Sequence, residues 1–292
     1  MKFDSYHPMI NLIYFVSVIF FTISFNQPVF VAIAYVSAFM YSVKLNKVKA
    51  FIFNLCLIPF IGIYTAWYSY YNHFGITNLH QNIVGNEITL EAVAYGLERG
   101  VTVATVIMIL SCMFAVFSSD KIVYLFGKIS PKLSLFLSII LRSVPRIKQT
   151  ARKINIAQKG LGRGAGQGGF IGVIRNSLRV FSILVTWTIE SFMESSQSMK
   201  NRGYSLRGRT AFSIYRFDNR DRTFVIAIFL NLTLILAAWA FDQTNMYYNP
   251  IIAMNKITPV CIIFYAAYGF LFLMPMGLQI IGEIRFKYLN KC

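Results

Sequence analysis

The run Ser198-Met199-Lys200-Asn201-Arg202-Gly203-Tyr204, followed by Ser205-Leu206-Arg207-Gly208-Arg209-Thr210, sets an arginine directly before a glycine at the end of an apolar pattern of helical spacing. Glycine is the residue that most readily ends a helix in the left-handed conformation. Arg202 therefore falls on the last turn, where a cation meets the negative end of the helix dipole. The chemistry available there is recognition rather than bond-making: a guanidinium at a helix tip can enter a groove of a partner protein and donate to its carboxylates.

Other residues could in principle support different chemistry. Gly160-Leu161-Gly162-Arg163-Gly164-Ala165-Gly166-Gln167-Gly168-Gly169 contains a formal GxGxxG at Gly164, Gly166 and Gly169. A dinucleotide fingerprint needs a preceding strand and a βαβ unit, whereas a basic amphipathic helix precedes this one, so the run reads as a flexible break between helices. No GxxxxGK[ST] occurs, which leaves the chain without a P-loop and without ATPase activity of its own. His7, His73 and His80 lack the spacing of metal ligands such as HExxH, although His73 and His80 share one loop. Cys56, Cys112, Cys261 and Cys292 are scattered and form no CxxC pair, which suits packing rather than a disulfide framework. Glu98 and Arg99 sit within an apolar run, where ions are functional candidates. Adjacent helical positions point in different directions, so these two read as subunit contacts, or as snorkelling or internally paired charges, rather than as a mutually neutralised pair.

These groups must be positioned by a membrane framework. The 292 residues are 56% hydrophobic and only 13% charged, about half the charged share of a soluble domain. Six apolar runs, 9–25, 28–43, 51–71, 90–117, 223–241 and 257–281, approach or exceed the length needed to cross a bilayer. The first two are short and joined by Asn26-Gln27, which predicts a tight hairpin. Run 9–25 has no small-residue cleavage site and is read as retained rather than as a signal peptide. Nineteen of the 28 Lys and Arg residues lie from Lys121 to Arg222, with further basic loops at Lys44, Lys47 and Lys49 and at the C-terminus. The positive-inside rule places that segment and both termini in the cytoplasm. The expected fold is an all-α integral membrane protein of about six transmembrane helices with a long cytoplasmic arm of amphipathic helices. Its divisions are 1–119, 120–222 and 223–292.

Within the arm, Ser130-Pro131 reads as an N-cap followed by proline at the first helical position. Leu133, Phe136, Leu137, Ile140, Leu141, Val144 and Ile147 then recur at helical spacing, with Pro145 expected to kink the helix. A second amphipathic helix follows the glycine run, carrying Ile174, Leu178, Phe181, Val185, Phe192 and Met199 on one face. Charges interrupt every apolar run here, so the arm is expected to lie beneath the bundle near anionic headgroups. The recognisable nucleic-acid modules are absent, and membrane topology accounts for the basicity without a nucleic-acid partner.

On these residues the chain resembles the transmembrane coupling, or T, component of energy-coupling-factor (ECF) transporters, a class of vitamin and metal importers. Ser198–Tyr204 is similar to the second Ala-Arg-Gly signature of that family, with Asn201 in place of alanine. Ala157-Gln158-Lys159-Gly160-Leu161-Gly162 resembles the first. His7-Pro8, Asn72-His73-Phe74-Gly75-Ile76-Thr77, Thr89-Leu90-Glu91-Ala92, Arg142-Ser143-Val144-Pro145-Arg146 and Gly208-Arg209-Thr210 extend the likeness over most of the chain to about Asp221. One departure is that Leu161 stands where the first signature has its arginine, with Arg163 two residues on.

The resemblance implies a non-catalytic subunit without a cofactor. Its two coupling-helix ends, Ala157, Gln158, Lys159, Gly160, Leu161, Gly162 and Arg163 on one side and Ser198, Met199, Lys200, Asn201, Arg202 and Gly203 on the other, would enter grooves on two cytoplasmic ABC-type ATPases. Motion driven by ATP would pass to a small membrane-embedded substrate-binding S component, which alone would select the vitamin or metal. The alternative is an integral membrane enzyme acting on lipid or isoprenoid substrates. Such enzymes usually need clustered acidic residues to hold Mg²⁺ at a phosphate, and beyond Asp120 at its start the arm offers only Glu190, Glu194, Asp218 and Asp221.

Overall fold

A computed structural model describes residues 3–81, 87–204, 206, 215, 217–255 and 258–289. Eight α-helices account for most of them: α1 (Pro8–Ser24), α2 (Pro28–Tyr71), α3 (Leu90–Val116), α4 (Ser119–Ile129), α5 (Pro131–Gly160), α6 (Phe170–Asn201), α7 (Asn219–Ala240) and α8 (Pro259–Leu289). By length and composition α2, α3, α6, α7 and α8 can each cross a membrane, while α1 is a shorter apolar helix. The chain is thus a predominantly α-helical membrane protein. Two small antiparallel hairpins decorate it, β1 (Asn78–Gln81) with β2 (Glu87–Thr89) and β3 (Met246–Tyr247) with β4 (Ala253–Met254). They fall in the connections after α2 and α7.

The contacts separate the chain into two units, Met1–Ser118 with Tyr215–Cys292, and Ser119–Ile214. In the first, prolines open α1, α2 and α8, where the missing amide costs no intrahelical bond and φ is already helical. The basic stretch Lys44–Lys49, expected as a loop, is instead a bend inside α2: only Lys47 leaves helical geometry, at φ 52° and ψ −130°. The runs 28–43 and 51–71 are therefore the two arms of one bent element. Phe3, Phe15, Phe25, Phe30 and Tyr268 are almost wholly buried in the core of this unit. Phe25 packs on both Phe30 and Tyr268, with ring centroids 5.2 and 5.6 Å apart.

The most extensive helix pairing in the unit is α3 on α2. It depends on Gly96 and Gly100, a small-xxx-small pair that lets helix backbones approach closely. A Cβ at either position would lie 3.3 Å from a backbone oxygen of α2, that of Thr65 or of Ile61. The sequence carries this signal in Gly96-Leu97-Glu98-Arg99-Gly100, where two charges stand between the glycines.

The likeness segments around residues 72–77 and 89–92 converge. Thr89 Oγ1 donates to the Phe74 carbonyl, the Leu90 amide to Thr77 O at 3.0 Å, and the Thr77 amide to Glu91 Oε1 at 3.4 Å. Gly75 has φ 114°, and a Cβ there would overlap the Glu91 carboxylate. His7-Pro8 starts α1: His7 Nδ1 accepts from the Met9 amide at 3.3 Å. The His7 amide in turn donates to Asp221 Oδ1 at 3.4 Å, and the Asp218 amide to Asp221 Oδ2 at 3.1 Å. Residues 219–222, assigned to the arm from sequence, are thus the first turn of α7.

The second unit holds α4, α5 and α6. Ser134 Oγ of α5 donates to the Val123 carbonyl of α4 at 3.1 Å. A Cβ on Gly127 would lie 3.1 Å from that same Oγ. Ser130 and Pro131 open α5 as expected, although the Ser130 side chain makes no cap bond. The helix runs on through Pro145 to Gly160 as one element, because a single proline removes one intrahelical donor and leaves the flanking bonds in place.

Asp221→Ala should destabilise the protein by about 1–2 kcal/mol, since a lost helix cap is accompanied by a deprived His7 amide. The thermal midpoint of the detergent-solubilised chain should drop by several degrees, and Asp221→Asn, which keeps an acceptor, should lose less. An unchanged midpoint in the alanine variant would refute the role assigned to this carboxylate.

Candidate functional site

The two segments singled out in the sequence form the C-terminal ends of α5 and α6, and their backbones make the same turn. At the first, Leu161 is the C-cap and Gly162 follows at φ 72°. The Gly162 amide donates to Lys159 O at 3.0 Å and the Arg163 amide to Gln158 O at 2.9 Å. At the second, Arg202 is the C-cap and Gly203 follows at φ 70°. Its amide donates to Lys200 O at 2.9 Å, and that of Tyr204 to Met199 O at 3.2 Å. Both are Schellman motifs, in which a left-handed glycine lets two amides satisfy otherwise orphaned carbonyls.

The shared turn fixes which residues correspond. Gln158 matches Met199, Lys159 matches Lys200, Gly160 matches Asn201, Leu161 matches Arg202, and Arg163 matches Tyr204. Leu161 therefore occupies the position of the arginine itself, and Arg163 lies one residue beyond the turning glycine. Burial follows the same register: Gln158 and Met199 are partly buried, while Ala157, Ser198, both lysines, Leu161, Arg163, Arg202 and Tyr204 are exposed. Leu206 returns over the second tip, where a Cβ on Gly203 would come within 3.0 Å of its Cδ1. Ser205, Arg207, Gly208, Arg209 and Thr210 lie outside the described residues.

The glycine run after the first tip is tied down rather than a flexible break. Asn155 Oδ1 of α5 accepts from the Ala165 amide at 3.0 Å. From α6, Ser177 Oγ donates to Ala165 O at 3.2 Å, and Asn176 Nδ2 to Gln167 O at 3.0 Å. Gln167 Oε1 also accepts from the Gly164 amide at 2.9 Å. Gly164 folds back so closely on Lys159 that an added Cβ would lie 3.2 Å from that residue's Cα and overlap its side chain. The glycines here serve close backbone approach, and the side chains that hold the loop are polar residues the sequence reading passed over. The first tip is thereby fastened to the start of α6, while the second forms its far end. The 32 residues of α6 correspond to about 48 Å at 1.5 Å per residue.

In the other unit, Glu98 and Arg99 do pair, contrary to the expectation from their adjacency. Arg99 Nε lies 3.4 Å from Glu98 Oε2 and donates to Tyr95 OH at 3.0 Å. Long side chains can converge even when their Cβ vectors diverge. Thr102 Oγ1 donates to Glu98 Oε1 at 3.1 Å, and the Arg99 guanidinium lies 5.1 Å from the centre of the Tyr95 ring. Tyr248, from the connection after α7, packs edge-on against Tyr95. Burial and the nearby Glu98 carboxylate push its hydroxyl up to about 12. Among the described residues no group of three or more His, Cys, Asp or Glu side chains is placed to hold a metal ion.

No protein-family model matches the chain, and no curated protein matches it either.

Gly162→Ala should strain the first cap by about 1–2 kcal/mol, because only the left-handed backbone is penalised and the space around it is open. Gly164→Val should disturb the tip more, through collision with Lys159. Amide hydrogen exchange at positions 162–167 is the measurement, and protection equal to wild type in both variants would show the tip to be less constrained than these contacts imply.

Proposed function

We propose that this protein is the transmembrane coupling subunit of an ECF-type ABC importer. In this reading it passes ATP-driven motion of two cytoplasmic ABC-type ATPases to a small membrane-embedded S component that takes up a vitamin or metal ion. The observation that carries the proposal is the pair of helix ends built on one Schellman turn, each bearing a cation on its last turn. A scaffold that must meet two related ATPases needs two similar protrusions, and a rigid cap at each lets force travel along the helix instead of being absorbed in a frayed end. The chain itself is taken as non-catalytic and without a cofactor, with ligand selectivity residing in the S component.

In the same reading the protein sits in the cell membrane with both termini and the arm in the cytoplasm. Because the tips lie at opposite ends of α6, a bilayer-crossing α6 would put them on opposite sides of the membrane, and one of them could never meet a cytoplasmic ATPase. The proposal therefore requires α6 to stay on the cytoplasmic side, its basic faces near anionic headgroups.

Single cysteines at 163 and 202 in a cysteine-free background should both resist an impermeant thiol reagent applied to intact cells and both react after lysis. Labelling of either in intact cells would exclude the arrangement.

Affinity purification of the tagged chain in mild detergent should bring down two ABC-type ATPases and a small membrane protein. Truncating a charge in a desolvated interface typically weakens association by about thirtyfold or more, so Arg202→Ala should release most of the ATPase and abolish uptake. Full ATPase retention with normal uptake in that variant would count decisively against the role given to this tip.

A further inference from the structure

We infer that the two tips dock into chemically unlike grooves: the end at Leu161 into an apolar pocket, and the end at Arg202 into one that carries a carboxylate. The two ATPase surfaces that receive them are accordingly not equivalent. This inference rests on the coupling role proposed above and adds to it the chemistry of each contact.

The two helix ends share the two Schellman hydrogen bonds, the left-handed glycine, the lysine two residues before the cap and a half-buried residue three before it. Several side chains differ, among them Gln158 against Met199 and Gly160 against Asn201, and at the exposed cap itself the difference is Leu161 against Arg202. Two like grooves could not suit both. A carboxylate facing Leu161 would be desolvated without a donor, and a guanidinium in an apolar pocket would lose its water without an acceptor; each is a costly state. The surroundings of Leu161 are apolar as well. Leu161 is 70% exposed, and Ile156 on the last turns of α5 and Phe170 and Ile171 at the start of α6 are 69%, 83% and 81% exposed. These large side chains flank the tied-down loop and give that tip apolar surface to bury.

Arg163 does not restore the missing charge in register. Its amide closes the Schellman turn on Gln158, which fixes it at the position of Tyr204, beyond the glycine. Lys159 offers a cation, but Lys200 offers the same one at the second tip, so the lysines do not distinguish the grooves. The distinguishing group is the guanidinium.

The test compares Leu161→Arg, Leu161→Met, Arg163→Ala, Arg202→Ala and Arg202→Leu in the tagged full-length chain, reading ATPase retained per coupling subunit after purification from native membranes. Leu161→Arg should lower retention about tenfold or more, and Leu161→Met should recover most of that loss. Arg202→Leu should be as damaging as Arg202→Ala, and Arg163→Ala clearly milder than either. In parallel, a photo-reactive residue at 161 or 202 in an otherwise unaltered chain should crosslink, respectively, to aliphatic or aromatic side chains and beside an Asp or Glu. Retention by Leu161→Arg equal to or above wild type, damage from Arg163→Ala matching Arg202→Ala, or crosslinks from both positions to the same carboxylate-bearing groove would each overturn the inference while leaving the coupling role standing. If the unaltered chain brings down no ABC-type ATPase, the coupling role itself falls.

Discussion

A helix that ends in the open leaves its last carbonyls without donors, and without a cap its last turn frays. The arm meets this constraint twice with one device. At Gly162 and Gly203 the chain turns through the left-handed region, where an L side chain is penalised, and two amides reach back to the final turn. Everything particular to the tips hangs on that turn. It makes Leu161 and Arg202 equivalent, sets Lys159 and Lys200 at the same position before them, and leaves the cap side chains exposed on a defined backbone. The loop after the first tip adds restraint from Asn155, Asn176 and Ser177, so the end of α5 is held to the start of α6.

In the membrane unit the charge of Glu98 meets the complementary demand that a polar group in an apolar setting find partners within the protein. Glu98 is buried and would be costly alone; Arg99 and Thr102 supply its contacts, and Tyr95 holds the guanidinium in turn. The approach of α3 to α2 over Gly96 and Gly100 brackets this pair in sequence, so close backbone packing and charge burial occur on the same two turns. At the other end of the unit, Asp221 accepts amides from both its own helix start and the His7 turn, tying segments more than 200 residues apart.

Much of this was legible in the sequence, for stated physical reasons. Apolar run length marked the helices of the membrane unit, and Gly203 after a helical pattern marked a left-handed stop. The failures are equally specific. Lys44, Lys47 and Lys49 looked like a loop because charge usually marks a connection, yet one residue with unusual dihedrals suffices to bend a helix without ending it. Glu98 and Arg99 were judged by the direction of their Cβ atoms, when the reach of their side chains decides the pairing. The glycine run was judged by composition, while its order comes from Asn155, Asn176 and Ser177, residues far enough away in sequence that no local pattern points to them. The equivalence of Leu161 with Arg202 required the hydrogen bonds of the turn, since sequence spacing alone left Arg163 as a rival.

The least typical element is α6, apolar enough to pass as a span yet carrying charges inside it. Its mean hydropathy over the best window is 1.3, against 1.8 to 2.2 for the other four long helices. Charge position is more telling than the average. Arg175 and Arg179 stand near one end and Glu190 and Glu194 toward the other, leaving 180–189 as the charge-free interval between them. Ten residues rise about 15 Å, half of a hydrocarbon core of about 30 Å. By contrast, α3 beyond Arg99 runs free of charge through 100–116, about 26 Å by the same measure, and snorkelling can make up the difference. A crossing α6 would have to hold two arginines or two glutamates at depth, and no residue of its best window is buried within the protein to receive them. Laid along the surface instead, the same charges would reach water or headgroups, the large apolar side chains beyond Arg175 would face the membrane, and both capped ends would stay on one side.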